Sequence, residues 1–255
     1  MLRFASALLA CASAASAAMM MDTVNYRFPT KGLHGIAFTE NNVSVAIAVR
    51  TSEGSEITVR GSVTQVSEGT ANNRYGSVEI FRLDAQYNAV AQTSIAASCP
   101  RDDSAPRCSL EVLVPPELDV TVWLNYGVEN RAKLDGMRGR ADVKLYTGDV
   151  ELLNHRGPAD VYGMDVVCTV ADQRPADTLR LEAYNKLTLY YPDSIRAEVS
   201  VPACSSPAVE GLKTSSGMST CITDYTLNPQ APGPARYINL VNGGTVRPLS
   251  AYGKE

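Results

Sequence analysis

The sequence predicts an all-β protein, an elongated and mostly parallel β-solenoid, with an antiparallel β-sandwich as the alternative. Three observations carry that expectation. Apolar residues alternate with polar or small ones through almost every structured stretch, the pattern of half-buried strands. No stretch beyond the leader holds the 3.6-residue apolar stripe of an amphipathic helix. One strand–corner–strand unit also recurs. Val122-Trp123-Leu124-Asn125-Tyr126-Gly127 returns about 21 residues later as Val143-Lys144-Leu145-Tyr146-Thr147-Gly148, and more loosely as Leu181-Glu182-Ala183-Tyr184-Asn185.

A unit this short cannot bury its apolar edge alone, so successive copies must cover one another. Ala141-Asp142-Val143 recurring as Ala159-Asp160-Val161 favours stacking, because sandwich strands have no reason to repeat at near-equal spacing. Local pattern leaves the sandwich open: Leu145 to Val150, with Thr147-Gly148 at its middle, could fold back as a hairpin.

In chain order, Met1 to Ala18 reads as a cleaved targeting segment. Arg3 supplies a positive charge, Phe4 to Ala10 an apolar run, and Ala15-Ser16-Ala17-Ala18 small residues for cleavage. A secretory signal is the first reading. A mitochondrial leader is the alternative, since no acid precedes Asp22, and a lipoprotein signal ending at Cys11 is the third. The expected location is secreted or cell surface, alternatively mitochondrial.

One domain, 19–250, follows. Its strands are marked by Val43, Val45, Ile47 and Val49; by Ile57 and Val59; by Val78 and Ile80; and by Leu110, Val112 and Val114. Leu118, Val120, Val122 and Leu124 come next, then Leu179 with Leu181, Leu187 with Leu189, and Ala197, Val199 and Val201. Between them stand Glu53-Gly54, Asn72-Asn73, Gly136, Gly157-Pro158 and Asn242-Gly243-Gly244, residues that tolerate the positive φ of tight corners. A Pro/Ser-rich insert at about 202–236 breaks the rhythm. Ile238, Leu240, Asn242-Gly243-Gly244 and Val246 read as a terminal hairpin and cap.

At this point the chain resembles the putative-adhesin β-strand-repeat family, a domain of unknown function. Leu113-Val114-Pro115-Pro116-Glu117-Leu118-Asp119-Val120, Thr147-Gly148-Asp149-Val150-Glu151-Leu152 and Tyr237-Ile238-Asn239-Leu240-Val241-Asn242-Gly243 carry the resemblance. It implies an elongated β-solenoid and an adhesion-like role, and it supplies no catalytic residue. The insert and the cysteines depart from the pattern.

Composition limits the function classes. With 45% apolar and 20% charged residues the chain can build a real core, and a formal charge of −4 without a Lys/Arg cluster disfavours nucleic acid. Nothing after Ala18 approaches the ~18 apolar residues of a membrane span. The polar C-terminus offers no glycolipid-anchor signal. Of six cysteines, five outlast the leader. Cys99 and Cys108 bracket one loop, and a disulfide there would be worth roughly 2.5 kcal/mol on loop entropy; Cys204 and Cys221 bracket another and can pair in the same way. Cys168, between Val167 and Val170, reads as a buried free thiol, and five reduced thiols is the alternative.

No catalytic, metal or cofactor site is expected. The two histidines, His34 and His155, lack partners at metal-ligand spacing and read as solvent-accessible or capping groups. A nucleophile elbow, a phosphate loop and a dinucleotide fingerprint are all missing. Asp142 and Asp160 hold matching places in successive repeats. At a strand spacing of about 4.8 Å they require solvation, a Lys144 or Arg140 partner, or Ca²⁺. Trp123, Tyr126, Tyr146 and Tyr184, with Tyr162 nearby, are candidate partner-contact aromatics that either stack on a sugar or protein or simply cover the corners. Asn42-Val43-Ser44 is a glycosylation sequon. The expected function is non-enzymatic, adhesin-like binding of a glycan or protein. A structural or assembly protein, organellar if the leader is mitochondrial, is the alternative, and a β-helical polysaccharide-cleaving enzyme the remote one.

Overall fold

Period-two alternation decides which side of each strand turns inward, and one buried cluster receives those side chains from end to end. The computed structural model describes residues 23–41, 44–62, 65–68, 76–86, 95–99, 108–125, 129–202, 214–219 and 222–254. The leader, Asn42, Tyr126, Cys204 and Cys221 lie outside them, as do the side chains of Cys99 and Cys108.

The described residues are all-β. The first strands are β1 (Thr23–Pro29), β2 (Gly35–Asn41), β3 (Val45–Thr51), β4 (Glu56–Ser62), β5 (Gln65–Glu68), β6 (Gly76–Leu83) and β7 (Ile95–Cys99). The middle holds β8 (Cys108–Val114), β9 (Asp119–Leu124), β10 (Asn130–Asp135), β11 (Ala141–Leu145), β12 (Gly148–His155), β13 (Ala159–Val170) and β14 (Thr178–Tyr191). The last are β15 (Ala197–Pro202), β16 (Thr214–Ser219), β17 (Ile222–Leu227), β18 (Arg236–Val241) and β19 (Thr245–Pro248), before a 3-10 turn at Leu249–Ala251. No helix here is long and apolar enough to cross a membrane.

All strands belong to one mixed sheet that curls over its own core. Its middle is parallel. Phe38, Val122, Val143, Val161, Leu181 and Leu240 form one in-register inward ladder across β2, β9, β11, β13, β14 and β18. Val59, Val112, Val49, Leu134, Leu152, Cys168, Leu189 and Val246 form a second, across β4, β8, β3, β10, β12, β13, β14 and β19. Each fully buried Val or Leu contributes roughly 1.5–3 kcal/mol. β13 and β14 cross from one ladder to the other, with a register shift between Gly163 and Asp165. Antiparallel pairs are added at the margins: β1–β4–β8, β2–β6–β7–β5 and β15–β17–β16. β16 and β17 thus place a hairpin inside the Pro/Ser-rich stretch.

Leu145 to Val150 does not fold back on itself. β11 pairs with β9 and β13, and β12 with β10 and β13. The expected terminal hairpin is likewise absent: β18 pairs with the first half of β14 and β19 with its second half. Positive φ at Asn242 (67°) and Gly243 (88°) turns the chain on to the other ladder rather than back along the same one.

One pair of corners is stacked like the strands beside it. Gly136 (φ 79°) lies beside Asn154 (φ 51°), whose side-chain amide donates to Asp135 Oδ1 at 2.8 Å. Gly136 and Asn154 thus supply the same left-handed turn at two neighbouring strand ends. Buried Asn130 begins β10, and its Oδ1 accepts the Val45 N–H at 2.9 Å.

Two buried polar groups depart from, or are missing from, the sequence reading. His155, read as solvent-accessible or capping, is fully buried, with Nε2 donating to the Pro158 carbonyl at 3.1 Å and Nδ1 without a partner among the described residues. Gln173 Nε2 donates to the carbonyls of Asp177 (2.8 Å) and Tyr237 (3.1 Å), and its Oε1 accepts the Tyr191 hydroxyl at 3.0 Å. Arg236 Nε donates to the Gln173 carbonyl. Gln173→Leu leaves the Tyr191 hydroxyl and both carbonyls without this partner, so about 3 kcal/mol should be lost. A urea midpoint unchanged from wild type would refute this role. Cys168 is a free, wholly buried thiol, which burial pushes up to about 12 and makes inert.

Candidate functional site

The outward side of the first ladder carries the chemistry. Pleating places Ala37, Thr121, Asp142, Asp160, Arg180 and Asn239 in one outward row. Thr39, Trp123, Lys144, Tyr162, Glu182 and Val241 form the next. Asp142 and Asp160 are direct cross-strand neighbours, and cations of the same face answer their repulsion. Lys144 Nζ lies 3.3 Å from Asp142 Oδ1 and 3.8 Å from Asp160 Oδ2. Arg180 pairs with Asp160 and Glu182, each at 2.9 Å. The Asp160 hydrogen bond is the main reason the Arg180 guanidinium titrates above its ordinary range. No group of three or more His, Cys, Asp or Glu side chains placed to hold a metal ion occurs among the described residues.

The aromatic side chains take different positions. Trp123 is 45% exposed, with the Lys144 ammonium 5.6 Å from its ring centre. Lys144 separates Trp123 from Tyr162 in the row. Tyr146, 56% exposed, packs its ring 5.4 Å from Tyr162. Tyr184 is 74% exposed at the bend of β14. Trp123, Tyr162 and Tyr146 thus share one neighbourhood.

Small side chains on β2 open a groove beside Trp123. Ala37, Thr39 and Thr121 make its floor, and Phe81 and Leu83 of β6 rise opposite, enclosing about 530 Å³. Asp119, Arg140 and Asp142 line its polar part. Asp119 Oδ1 accepts the Arg140 backbone N–H at 2.7 Å, and its Oδ2 lies 3.3 Å from His34 Nε2. A second, shallower groove of about 350 Å³ continues past Arg140 over Pro158, Asp160 and Arg180. On the outward side of the other ladder, a groove of about 360 Å³ over Ala46 and Ala48 is flanked by Lys133 and Glu151, which are paired at 2.6 Å.

Phe81 and Leu83 did not emerge from the sequence as site residues, because the antiparallel β2–β6 pairing brings in a strand with no place in the repeat. Arg140 could have been placed: it precedes Ala141-Asp142-Val143 as Asp119 precedes Val120, so repeat register alone sets the two side by side.

No protein-family model matches the chain, so the resemblance to the adhesin family rests on its short motifs. No curated protein matches it either. Among solved structures the chain is similar to a putative cell adhesion protein from Clostridium sporogenes ATCC 15579. The two are 13% identical over 89% of this chain and 97% of that one, with a TM-score of 0.37. Similarity at that level defines no common mechanism, and no residue role is taken from it.

Proposed function

We propose that the chain is a non-enzymatic, adhesin-like binding protein that holds a glycan against Trp123, on the outward side of a β-solenoid whose coils are the in-register parallel strands. The observation that carries this reading is the groove itself: a floor of small residues between Phe81 and an accessible Trp123, with polar groups along one side. Sugar rings present one apolar face and a rim of hydroxyls, and such a groove meets both. On this reading residues 1–18 are removed on export, and disulfides Cys99–Cys108 and Cys204–Cys221 close two loops.

The side-by-side aspartates support binding over cleavage. Glycosidic chemistry needs two carboxyls facing one bond from opposite sides, one of them able to give a proton. Asp142 and Asp160 point the same way and share the Lys144 ammonium. Trp123→Ala should weaken glycan binding roughly tenfold, about 1.4 kcal/mol, with an unchanged melting temperature. A glycan array and titration calorimetry measure this, with Tyr146→Ala and Tyr184→Ala alongside. Full binding by all three variants would defeat the proposal.

A further inference from the structure

Building on the glycan reading, we infer that the Trp123 groove selects a sugar bearing a carboxylate, and that Arg140 is the residue that recognises the acid. The other cations of this face are committed: Lys144 to Asp142 and Asp160, Arg180 to Asp160 and Glu182, and Arg196 to Glu198 at 3.0 Å. Arg140 differs. Its guanidinium is exposed, makes no ion pair among the described residues, and borders both the Trp123 groove and its shallower continuation.

The adjacent acids do not claim it. Asp119 is held by the Arg140 backbone N–H and by His34, and Asp142 lies against Lys144. A planar guanidinium presents paired N–H donors that match a carboxylate bidentately, which suits it to this task better than an ammonium. The groove has room for the ring that would carry the acid. β6 and β9 flank β2, so their backbones are two strand spacings, about 9.6 Å, apart. In register Phe81 faces Thr121 across Ala37, while Trp123 lies two residues further along beside Thr39, so the two rings stand diagonally across a groove of about 530 Å³, a size within the range of small-ligand sites. Past Arg140 the groove continues toward Pro158 and Asp160, so a chain of sugars, rather than a single residue, fits the surface.

The test titrates the full-length mature protein with polygalacturonate oligomers and with the same oligomers after carboxyl reduction, which keeps the ring and removes the charge. Sialylated lactose against lactose distinguishes a terminal acid from a polymeric one. The acidic form should bind at least tenfold tighter than its reduced counterpart in one of these pairs, with affinity falling as salt rises. Arg140→Gln should bring that ratio to about one, and Arg140→Lys should restore only part of it. Equal binding of acidic and neutral forms, or a ratio that survives Arg140→Gln, overturns the inference while leaving the glycan reading standing. Binding of neither form, acidic or neutral, overturns both.

Discussion

Gly148→Val is expected to cost roughly 3 kcal/mol or more and to lower the melting temperature by roughly 6–12 °C. A Cβ at Gly148 would lie 2.1 Å from the Asn130 carbonyl oxygen, 2.7 Å from its carbon and 2.8 Å from the Asn130 Cβ. Two of these atoms are backbone, so relief requires β10 and β12 to part. Their separation would undo the register from Asn130↔Gly148 to Asp135↔Leu153, and with it the seat of Leu134 against Leu152. It would also disturb Asn130, whose side chain holds the Val45 N–H. Gly54→Ala is the matched control: the nearest atoms to its Cβ lie at 3.9 Å, so it should fall within about 0.5 kcal/mol of wild type. Equal melting temperatures for the two variants would show that close stacking at this corner does not limit stability.

Acid should destabilise the protein through one residue well before general carboxylate protonation. Burial is the main cause that lowers His155 from 6.5 to about 4, against the smaller opposing pull of the Pro158 and Gly157 backbone. Nε2 already donates to a carbonyl, so a second proton would sit on Nδ1, which has no acceptor. The folded state therefore keeps the ring neutral where the unfolded chain would protonate it. Stability is complete above pH 6.5, is lost as pH falls toward about 4, and changes little further from this group below that. The loss amounts to roughly 3 kcal/mol. His155→Leu should flatten this part of the profile, and the Pro158 carbonyl keeps the Ala141 N–H as partner. Denaturant midpoints from pH 7.5 to 4 measure the effect, and a parallel decline in wild type and His155→Leu would assign the acid sensitivity elsewhere.

What could be read from the chain was the content of each strand and the register of the repeats. Ala141-Asp142-Val143 does lie against Ala159-Asp160-Val161, because identical short motifs bury identical positions only when aligned. What could not be read was the path between strands. Asn242-Gly243-Gly244 supplies positive φ equally well to a hairpin and to a corner, and the choice falls to the second half of β14, which offers β19 its open edge. His155 reads as solvent-accessible or capping beside Asn154, Arg156 and Gly157, and its burial comes from pairing with Val170 of β13, which no local pattern announces. The groove escaped for a different reason. One wall comes from the repeat and the other from β6, far away in sequence, so no local pattern joins Phe81 to Trp123.

The C-terminal turn closes one patch of the sheet. Tyr252 sets its ring edge-on against Tyr190 at 5.1 Å, and Thr188 and Tyr190 of β14 are buried there. The tail thus packs over the second half of β14, beside β19. Anything that docks on this stretch of β14 would first have to peel the tail away.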